Sequence, residues 1–287
     1  MQNKDFFESV YACLMHSNID MKVKATVALT ENGLLDVIPP SSESELVGKK
    51  SNAQAQVYSQ TQTQIKSIPQ PGRPDKPILV QQQQVPKRSF GTEEGRAAFI
   101  HAICHIEFNA INLALDALYR FRDFPSAYYN DWMKVAKEES EHFQLLNDRL
   151  YDLGYQYGDF PAHNGLWDMA CRTEHDSLHR MALVPRVLEA RGLDVTPGII
   201  KRLKSVGDFK TVEILELILH EEVAHVKIGN DWYKYLCQQR ALDPIKTFRE
   251  LIREYYNAPL REPLNYPARI EAGFTEQEIK DLIKPFN

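Results

Sequence analysis

The residues best suited to chemistry are two Glu-x-x-His sequences, Glu139-Ser-Glu-His142 and Glu222-Val-Ala-His225. A chain with nine histidines and 39 acidic residues contains about one acid-x-x-His pair by chance. Position therefore matters more than number. Each sequence interrupts a stripe of apolar residues at helical spacing, on the face that a helix buries. Two side chains that are three residues apart on a helix point in directions about 60° apart. The Glu and the His of each sequence therefore face the same point, as ligands of a divalent metal do.

Two further glutamates, Glu107 and Glu189, lie on the apolar stripes of two other long helical segments. Glu107 precedes Glu139 by 32 residues, and Glu189 precedes Glu222 by 33. Each half of this region thus places Glu on one helix and Glu-x-x-His on the next. Two such hairpins, related by an approximate twofold, bring four Glu and two His to the centre of a bundle, which is the ligand set of di-iron and di-manganese carboxylate proteins. The predicted metal ligands are Glu107, Glu139, His142, Glu189, Glu222 and His225.

Electrostatics favours cations at this point. Four carboxylates are costly to bury as free anions, whereas two divalent cations neutralise them and neutral histidine suits a metal ligand. Oxygen and imidazole ligands without nearby cysteine favour iron or manganese over an iron–sulfur cluster or structural zinc. The alternative is that the acids pair with buried arginines, for example with Arg186, one turn before Glu189.

Five other side chains are candidates for the surroundings of the metals. Arg186 is expected to orient Glu189. Phe108 and Phe143 are expected to line the pocket with apolar surface, which suits an oxidant shielded from water. The remaining two candidates are His105 and His179.

The acids next to the motif glutamates are expected to lie elsewhere. Glu138, Glu141 and Glu221 are turned by roughly 100° or more, which predicts that they face solvent or the bundle edge. No tyrosine lies within four residues of a predicted ligand, and this argues against a generator of a tyrosyl radical.

The elements that must position these residues are helices. The sequence predicts four long ones, at about 92–121, 126–153, 166–191 and 209–238, with the third ending at Gly192 and kinked by Pro185. A short helix near Thr196-Pro197 and a helix near 245–256 follow. Thr275, with Glu278 three residues later, is a capping-box pattern that predicts the start of a final helix. No alternating pattern long enough for a sheet is present, and the predicted fold class is all-α.

The predicted divisions are an N-terminal helical segment (1–38), a Gln/Pro-rich linker or strap (39–90), a di-metal bundle (91–240) and a C-terminal helical extension (241–287).

Composition excludes several classes of protein. The chain is 43% hydrophobic and 25% charged, as in ordinary globular proteins, and its net charge of −5 provides no general attraction for nucleic acid. No run approaches about 18 apolar residues, which argues against a membrane span. The four cysteines are dispersed and include no C-x-x-C pair, as expected of reduced thiols, and a cytoplasmic location is predicted.

Three blocks of the sequence carry a resemblance to a known family. They are residues 105–117 (HIEFNAINLALDA), 158–163 (GDFPAH) and 181–194 (MALVPRVLEARGLD). They resemble an uncharacterised bacterial family of the ferritin-like superfamily, domain-of-unknown-function family 455, over about residues 86–240. The resemblance implies a ferritin-like four-helix bundle with a long crossover between helices 2 and 3 and peripheral N- and C-terminal helices. It implies a di-metal site at the six glutamates and histidines and no known substrate.

The expected function is that of a non-haem di-iron carboxylate protein. Two iron ions, or manganese or a mixed Mn/Fe pair, would activate O2 to hydroxylate or desaturate an unidentified organic substrate, small or nucleotide-linked, with electrons from an unidentified donor. One alternative is a ferroxidase or metal-handling protein without organic substrate, which a polar channel to the surface would favour. The other is a non-catalytic helical binding module, which arginine-paired glutamates would favour. A homodimer is the expected assembly, because exposed faces of such bundles commonly pair.

Overall fold

The computed structural model describes residues 3–31, 65–85 and 88–286, and within them the chain is all-α, as predicted. The one β-type contact in these ranges is an isolated bridge between Leu79 and Ala162. A π-helix, Val184–Glu189, joins α6 to α7. The α-helices are α1 (Asn3–Leu14), α2 (Ile19–Glu31), α3 (Glu93–Arg120), α4 (Ser126–Asp152), α5 (Gly165–Arg172), α6 (Ser177–Leu183), α7 (Ala190–Ser205), α8 (Phe209–Gln239), α9 (Pro244–Tyr256), α10 (Tyr266–Glu271) and α11 (Glu276–Leu282).

The chain forms two compact units, and the first consists of residues 1–74 and 111–137. Helix α1 buries the apolar stripe that predicted it, with Phe6, Val10 and Leu14 almost fully inaccessible. Lys22 of α2 is also fully buried, and its ammonium donates hydrogen bonds to the Leu14 carbonyl (2.7 Å) and to the Asn112 side chain. A buried lysine is tolerated here because oxygen acceptors replace its water.

The second unit consists of residues 75–110 and 138–287 and contains all six predicted ligands. The predicted bounds of the first, second and fourth long helices agree with α3, α4 and α8 to within about two residues, which is the usual variation at helix ends. Residues 75–85 contain a single 3-10 turn and otherwise run as a strap, whose Val80 amide donates to the Ala162 carbonyl (2.8 Å). The strap prediction for residues 39–64, 86 and 87 lies outside the described residues.

The predicted third helix differs from the structure. It is divided into α5, α6, the π-helix and α7, and it continues past Gly192 to Ser205 with Pro197 inside α7. Gly192 is therefore not a C-cap, and no separate helix begins at Thr196-Pro197. The left-handed conformation typical of a C-terminal glycine occurs at Gly207 instead, where φ is 75°. The local disturbance predicted from Pro185 is present, because this proline lies inside the π-helix.

The C-terminal helices are bound to the rest of the second unit by buried ion pairs. The Arg269 guanidinium of α10 makes two hydrogen bonds to the Asp194 carboxylate of α7, at 2.8 and 2.7 Å. The capping box predicted at Thr275 is present, since the Glu278 amide donates to the Thr275 hydroxyl (3.1 Å) and the Thr275 amide donates to the Glu278 carboxylate (2.8 Å). The pair of Arg269 and Asp194 thus joins α10 to the helix that follows Glu189.

One helix of the described residues, α3, is apolar enough by length and composition to cross a membrane, with a mean hydropathy of 1.3 over 18 residues. The sequence argument against a membrane span used a stricter criterion, an unbroken run of about 18 apolar residues, which α3 does not contain. Of the 18-residue window, 78% is buried inside the protein, which is the pattern of a core helix. The four cysteines are all free thiols, consistent with the predicted reduced state.

Candidate metal centre

Four helical segments of the second unit carry the predicted ligands. Glu107 lies on α3, Glu139 and His142 on α4, Glu189 at the end of the π-helix, and Glu222 with His225 on α8. The two histidines and Glu139 are completely inaccessible to solvent, and Glu107 is 5% exposed. The apolar stripes of these helices thus carry their polar residues into the interior, as the sequence predicted.

Five of the six side chains contact one another at one place, and the charges of Glu222 and Glu139 act on the sixth, Glu189. Ligand atoms of four of them, from Glu107, Glu139, His142 and Glu222, all lie within 4.8 Å of one another. The Nδ1 atom of His142 is 3.5 Å from a carboxylate oxygen of Glu107 and 3.5 Å from one of Glu139. The Nδ1 atom of His225 is 3.1 Å from Glu139 and 3.2 Å from Glu222. Both histidines therefore present the same nitrogen to the carboxylates.

The opposite nitrogens of the two histidines make a crossed pair of contacts. His142 Nε2, on α4, is 2.7 Å from the Glu221 carboxylate of α8, and His225 Nε2, on α8, is 2.8 Å from the Glu138 carboxylate of α4. Glu138 and Glu221 were expected to face solvent or the bundle edge, and they lie partly exposed at the rim; their contacts with the candidate histidine ligands were not predicted. Their side chains are 18% and 30% exposed, so that each reaches the histidine of the other helix from the rim of the cluster. The exposed position of Glu141 agrees with its prediction.

Glu189 is placed by an unusual turn. The π-helix forms i→i+5 hydrogen bonds and has one more residue per turn than an α-helix, a feature often found at functional sites. Pro185 of this turn packs against Gly229 of α8, where a Cβ atom would overlap the proline ring. One oxygen of the Glu189 carboxylate is buried without a hydrogen-bond partner.

Arg186 does not orient Glu189. Its guanidinium pairs with Glu278 of α11 at 2.5 Å and lies over the rings of Tyr233, Phe248 and Phe274, at 3.9–4.8 Å. Arg186 and Glu189 are three residues apart. Side chains at this spacing point about 60° apart on an α-helix but about 120° apart on a π-helix, which has more residues per turn. The predicted contact is lost because this turn directs Arg186 toward the C-terminal helices.

The carboxylates and histidines perturb each other's protonation strongly. Burial, together with the charge of Glu139, raises the pKa of Glu107 to about 8, and burial with the charges of Glu222 and Glu139 raises the pKa of Glu189 well above its usual value. Burial disfavours a charged imidazole, yet the carboxylates of Glu107 and Glu139 raise the pKa of His142 to about 11. Without cations the cluster therefore retains protons, and the acids require positive charge at this position.

An aromatic cluster lies beside the ligands. The rings of Phe108 and Phe143, each 2% exposed, are 5.8 Å apart. Tyr157, from the loop after α4, packs on both, with ring centroids 5.6 Å and 5.3 Å away. Its hydroxyl is 2.8 Å from His105 Nδ1. The sequence search for tyrosines covered four residues on either side of each predicted ligand. It missed Tyr157, because a loop that is distant in sequence brings this residue to the site.

The two remaining candidate histidines differ in position. His105 belongs to the aromatic cluster, and its second nitrogen is 3.2 Å from the His163 carbonyl. His179 lies one helical segment away from Glu189, with its Nδ1 atom 2.9 Å from the Tyr255 hydroxyl. His179 is therefore part of a local contact between α6 and α9.

The donor atoms fit divalent cations. Three buried atoms of the cluster have no hydrogen-bond partner: Glu139 Oε2, His142 Nδ1 and Glu189 Oε2. Buried polar atoms are nearly always paired, and a site that binds an ion is one of the recognised reasons for an exception. When Nε2–H of each histidine donates to Glu221 or Glu138, Nδ1 retains the lone pair that a metal ligand needs. None of the four predicted ligand glutamates pairs with arginine or lysine among the described residues.

A family model described as "Protein of unknown function (DUF455)" matches residues 18–280, which include all six candidate ligands. The chain belongs to this family. The match extends well beyond the predicted 86–240 and takes in most of the C-terminal helices. A protein of Haemophilus influenzae Rd, described as uncharacterized, is 54% identical over 213 residues, 72% of this chain and 74% of that protein. No solved structure matches the chain.

Proposed function

We propose that this protein is a ferritin-like, non-haem di-iron carboxylate protein that uses O2 to hydroxylate or desaturate an organic substrate. The observation that carries the proposal is the presence of three buried polar atoms without a hydrogen-bond partner among the candidate ligands, two of them in the group of three glutamates and one histidine that could hold a metal ion. In this proposal α3, α4, the α6–α7 segment and α8 form the four-helix bundle, with the chain after α4 as its crossover.

The chain's own residues have separate tasks in this proposal. The six candidate ligands would hold two iron ions, or manganese in their place. A bound di-iron pair supplies the reduction of O2 and the oxidising equivalents for attack on a C–H bond. Glu138 and Glu221 hold the two histidine rings in the tautomer that binds metal. Phe108 and Phe143 exclude water from one side of the centre.

A ferroxidase or metal-handling function is the second candidate. It is favoured by the partly exposed carboxylates of Glu138 and Glu221, which provide a polar edge between solvent and the histidines. The hypothesis of a non-catalytic binding module is disfavoured, because it predicted salt bridges between arginines and the candidate ligand glutamates. Arg186 forms its salt bridge with Glu278 instead.

Metal analysis tests the proposal. Protein from iron-supplemented cells is assayed by inductively coupled plasma mass spectrometry, beside Glu139→Ala, Glu222→Ala and the control Glu141→Ala, whose side chain is exposed on the same helix. We expect two iron or manganese ions per chain in the wild type and the control, and fewer than one in the two ligand variants.

Substoichiometric metal that is equal in all four proteins would contradict the di-metal proposal. The oxygenase and ferroxidase candidates are separated by anaerobic loading with Fe(II), followed by one addition of O2. Rapid oxidation that leaves mobile Fe(III), removable by a chelator, favours the ferroxidase. Iron retained in the centre through repeated cycles of reduction and oxidation favours the oxygenase.

A further inference from the structure

We propose that Tyr157 closes the aromatic side of the centre and determines which molecules reach it. The inference rests on the proposed function and adds a class of substrate: an uncharged molecule with an apolar planar or chain-like part and a hydrogen-bond acceptor. Its evidence comes from the loop after α4, which the proposed ligands do not include.

The position of Tyr157 is that of a cover. Its ring touches Phe108 and Phe143, which follow the candidate ligands Glu107 and His142 directly in sequence. Phe108 and Phe143 are buried, whereas Tyr157 is half-buried. Tyr157 therefore separates solvent from the aromatic surface next to the centre.

Ring contacts and hydrogen bonds hold this cover to α3. The Tyr157 hydroxyl lies within hydrogen-bond distance of His105, and its ring stacks on the ring of His101 with the centroids 5.3 Å apart. The next residue, Gly158, has a φ of 107°, a conformation that favours glycine, and its amide donates to His101 Nε2 at 2.9 Å. Displacing the tyrosine ring breaks its contact with His105, whereas the amide contact belongs to the backbone of Gly158.

A second observation points to a ligand beside Tyr157. The His101 side chain is fully buried, and because its Nε2 accepts the Gly158 amide, the proton of the neutral ring is on Nδ1. That Nδ1 has no hydrogen-bond partner among the described residues. An unpaired buried donor is unfavourable, and a ligand with an acceptor atom would satisfy it. The surrounding rings of Tyr157 and Phe160 favour an apolar body for that ligand.

The two sides of the centre differ in polarity. Glu138 and Glu221 form the acidic rim, which attracts cations and disfavours an apolar molecule. The side closed by Tyr157 presents the rings of Tyr157, Phe108 and Phe143 together with the imidazole of His105. An apolar substrate is therefore expected to enter at Tyr157.

Access can be measured with 2,2′-bipyridyl, a neutral planar aromatic chelator of Fe(II). Wild-type protein and variants are loaded with Fe(II) anaerobically, and the coloured iron–bipyridyl complex is followed at several bipyridyl concentrations. The variants are Tyr157→Ala, Tyr157→Phe and the control Tyr155→Ala, whose ring contacts Phe160 in the same loop.

We expect extraction from Tyr157→Ala to be faster by about tenfold or more and to rise with bipyridyl concentration. Tyr157→Phe keeps the ring but loses the bond to His105, and an increase of about fivefold is expected. Tyr155→Ala should match the wild type. Equal rates in all four proteins, or a Tyr157→Ala rate independent of bipyridyl concentration, would overturn the inference.

The result separates this inference from the proposed function. Failure of the wild type to retain Fe(II) contradicts the di-iron centre itself. Retained iron with unchanged extraction rates contradicts only the role of Tyr157. Should Tyr157→Ala fail to fold, Tyr157→Phe decides, and a wild-type rate in that variant overturns the inference.

Discussion

The two nitrogens of each candidate histidine ligand have different partners. Nδ1 of His142 and of His225 faces the inner carboxylates, and Nε2 contacts a glutamate that belongs to the other helix. Such outer carboxylates fix the orientation of a ligating imidazole and increase its basicity. In the proposed centre Glu138 and Glu221 would be positioning residues, and their effect should appear in metal affinity.

Glu138→Gln and Glu221→Gln are expected to lower metal affinity by about 10- to 100-fold each, because an amide holds the imidazole less strongly than a carboxylate does. Titration with Fe(II) or Co(II) under anaerobic conditions measures the change. Glu141→Gln, which removes an exposed carboxylate from the same turn, should bind as the wild type does. Equal affinity in all variants would show that the crossed contacts do not support metal binding.

Lys22 predicts a dependence of stability on pH. Burial lowers the pKa of Lys22 to about 7, whereas the unfolded chain retains an ordinary lysine. Between pH 7 and the pKa of Lys22 in the unfolded chain, the unfolded state binds more protons than the folded state. The contribution of Lys22 to the free energy of unfolding therefore rises with pH, by at most about 1.4 kcal/mol per pH unit. Below pH 7 the contribution is constant and unfavourable.

Chemical denaturation of wild type and Lys22→Met between pH 7 and 9 tests this dependence. The difference between their free energies of unfolding should change with pH, since only the wild type gains from deprotonation. Lys24→Met removes an exposed lysine two residues away and should show the wild-type slope. Parallel pH curves for Lys22→Met and the wild type would contradict the prediction.

Helical periodicity predicted that the candidate ligands share one interior site, because each lies on a stripe that the core must bury, and five of them contact one another there. Periodicity did not predict the contacts of Glu138 and Glu221. Their angle from the motif glutamates on their own helix was predicted correctly, but their partner is a histidine of the opposite helix, which one helix's periodicity cannot reveal. The doubled acid in Glu-Glu-x-x-His, present twice, was the available signal. Tyr157 carried no such signal, since a loop places it.

Among the elements, the π-helix has the largest effect on the site. Pro185 predicted a disturbance, because proline lacks the amide of an α-helical hydrogen bond. The sequence could not show that the chain would respond with a wider turn and then continue through Gly192 and Pro197 to Ser205. In the π-helix the Pro185 ring packs tightly on Gly229, and this contact was also not predicted.

Gly229→Ala tests the importance of this contact. The added methyl group overlaps the Pro185 ring, and we expect a loss of about 1–3 kcal/mol in the free energy of unfolding together with weaker metal binding, since Pro185 and Glu189 share the π-helix. Gly198→Ala, in α7 with open space around it, is expected to be neutral or stabilising by up to about 1 kcal/mol. Thermal melts and metal titration of both variants provide the measurement. Similar effects of the two substitutions would contradict the argument.

At the scale of the whole molecule, ion pairs between distant parts of the sequence bind the C-terminal helices. Arg186 pairs with Glu278, and Asp194 pairs with Arg269. Single-sequence patterns predicted the capping box at Thr275, whose members are three residues apart, but not these pairs, whose members are separated by 92 and 75 residues. Local order is encoded within a few residues, whereas the partner of a buried charge depends on packing.

Removal of metal should lower the thermal stability of the protein. A ligand that binds only the folded state stabilises it by about 2.7 kcal/mol at a 100-fold excess over its Kd, which corresponds to a Tm several degrees higher. Glu189→Gln should abolish this increase and raise the Tm of the metal-free protein, because it removes a buried carboxyl that lacks a partner. Differential scanning calorimetry with Fe(II) and with EDTA measures both effects. An EDTA-insensitive wild-type Tm would contradict metal binding.

If the proposed centre takes up two cations, the crossed contacts would couple the two binding events. A cation bound at His142 would immobilise that ring, and with it Glu221 and the turn of α8 that carries Glu222 and His225. The first ion would thereby order ligands of the second, and by symmetry the converse would hold. At half saturation, native mass spectrometry should then find chains with no ions or with both, and few that hold one.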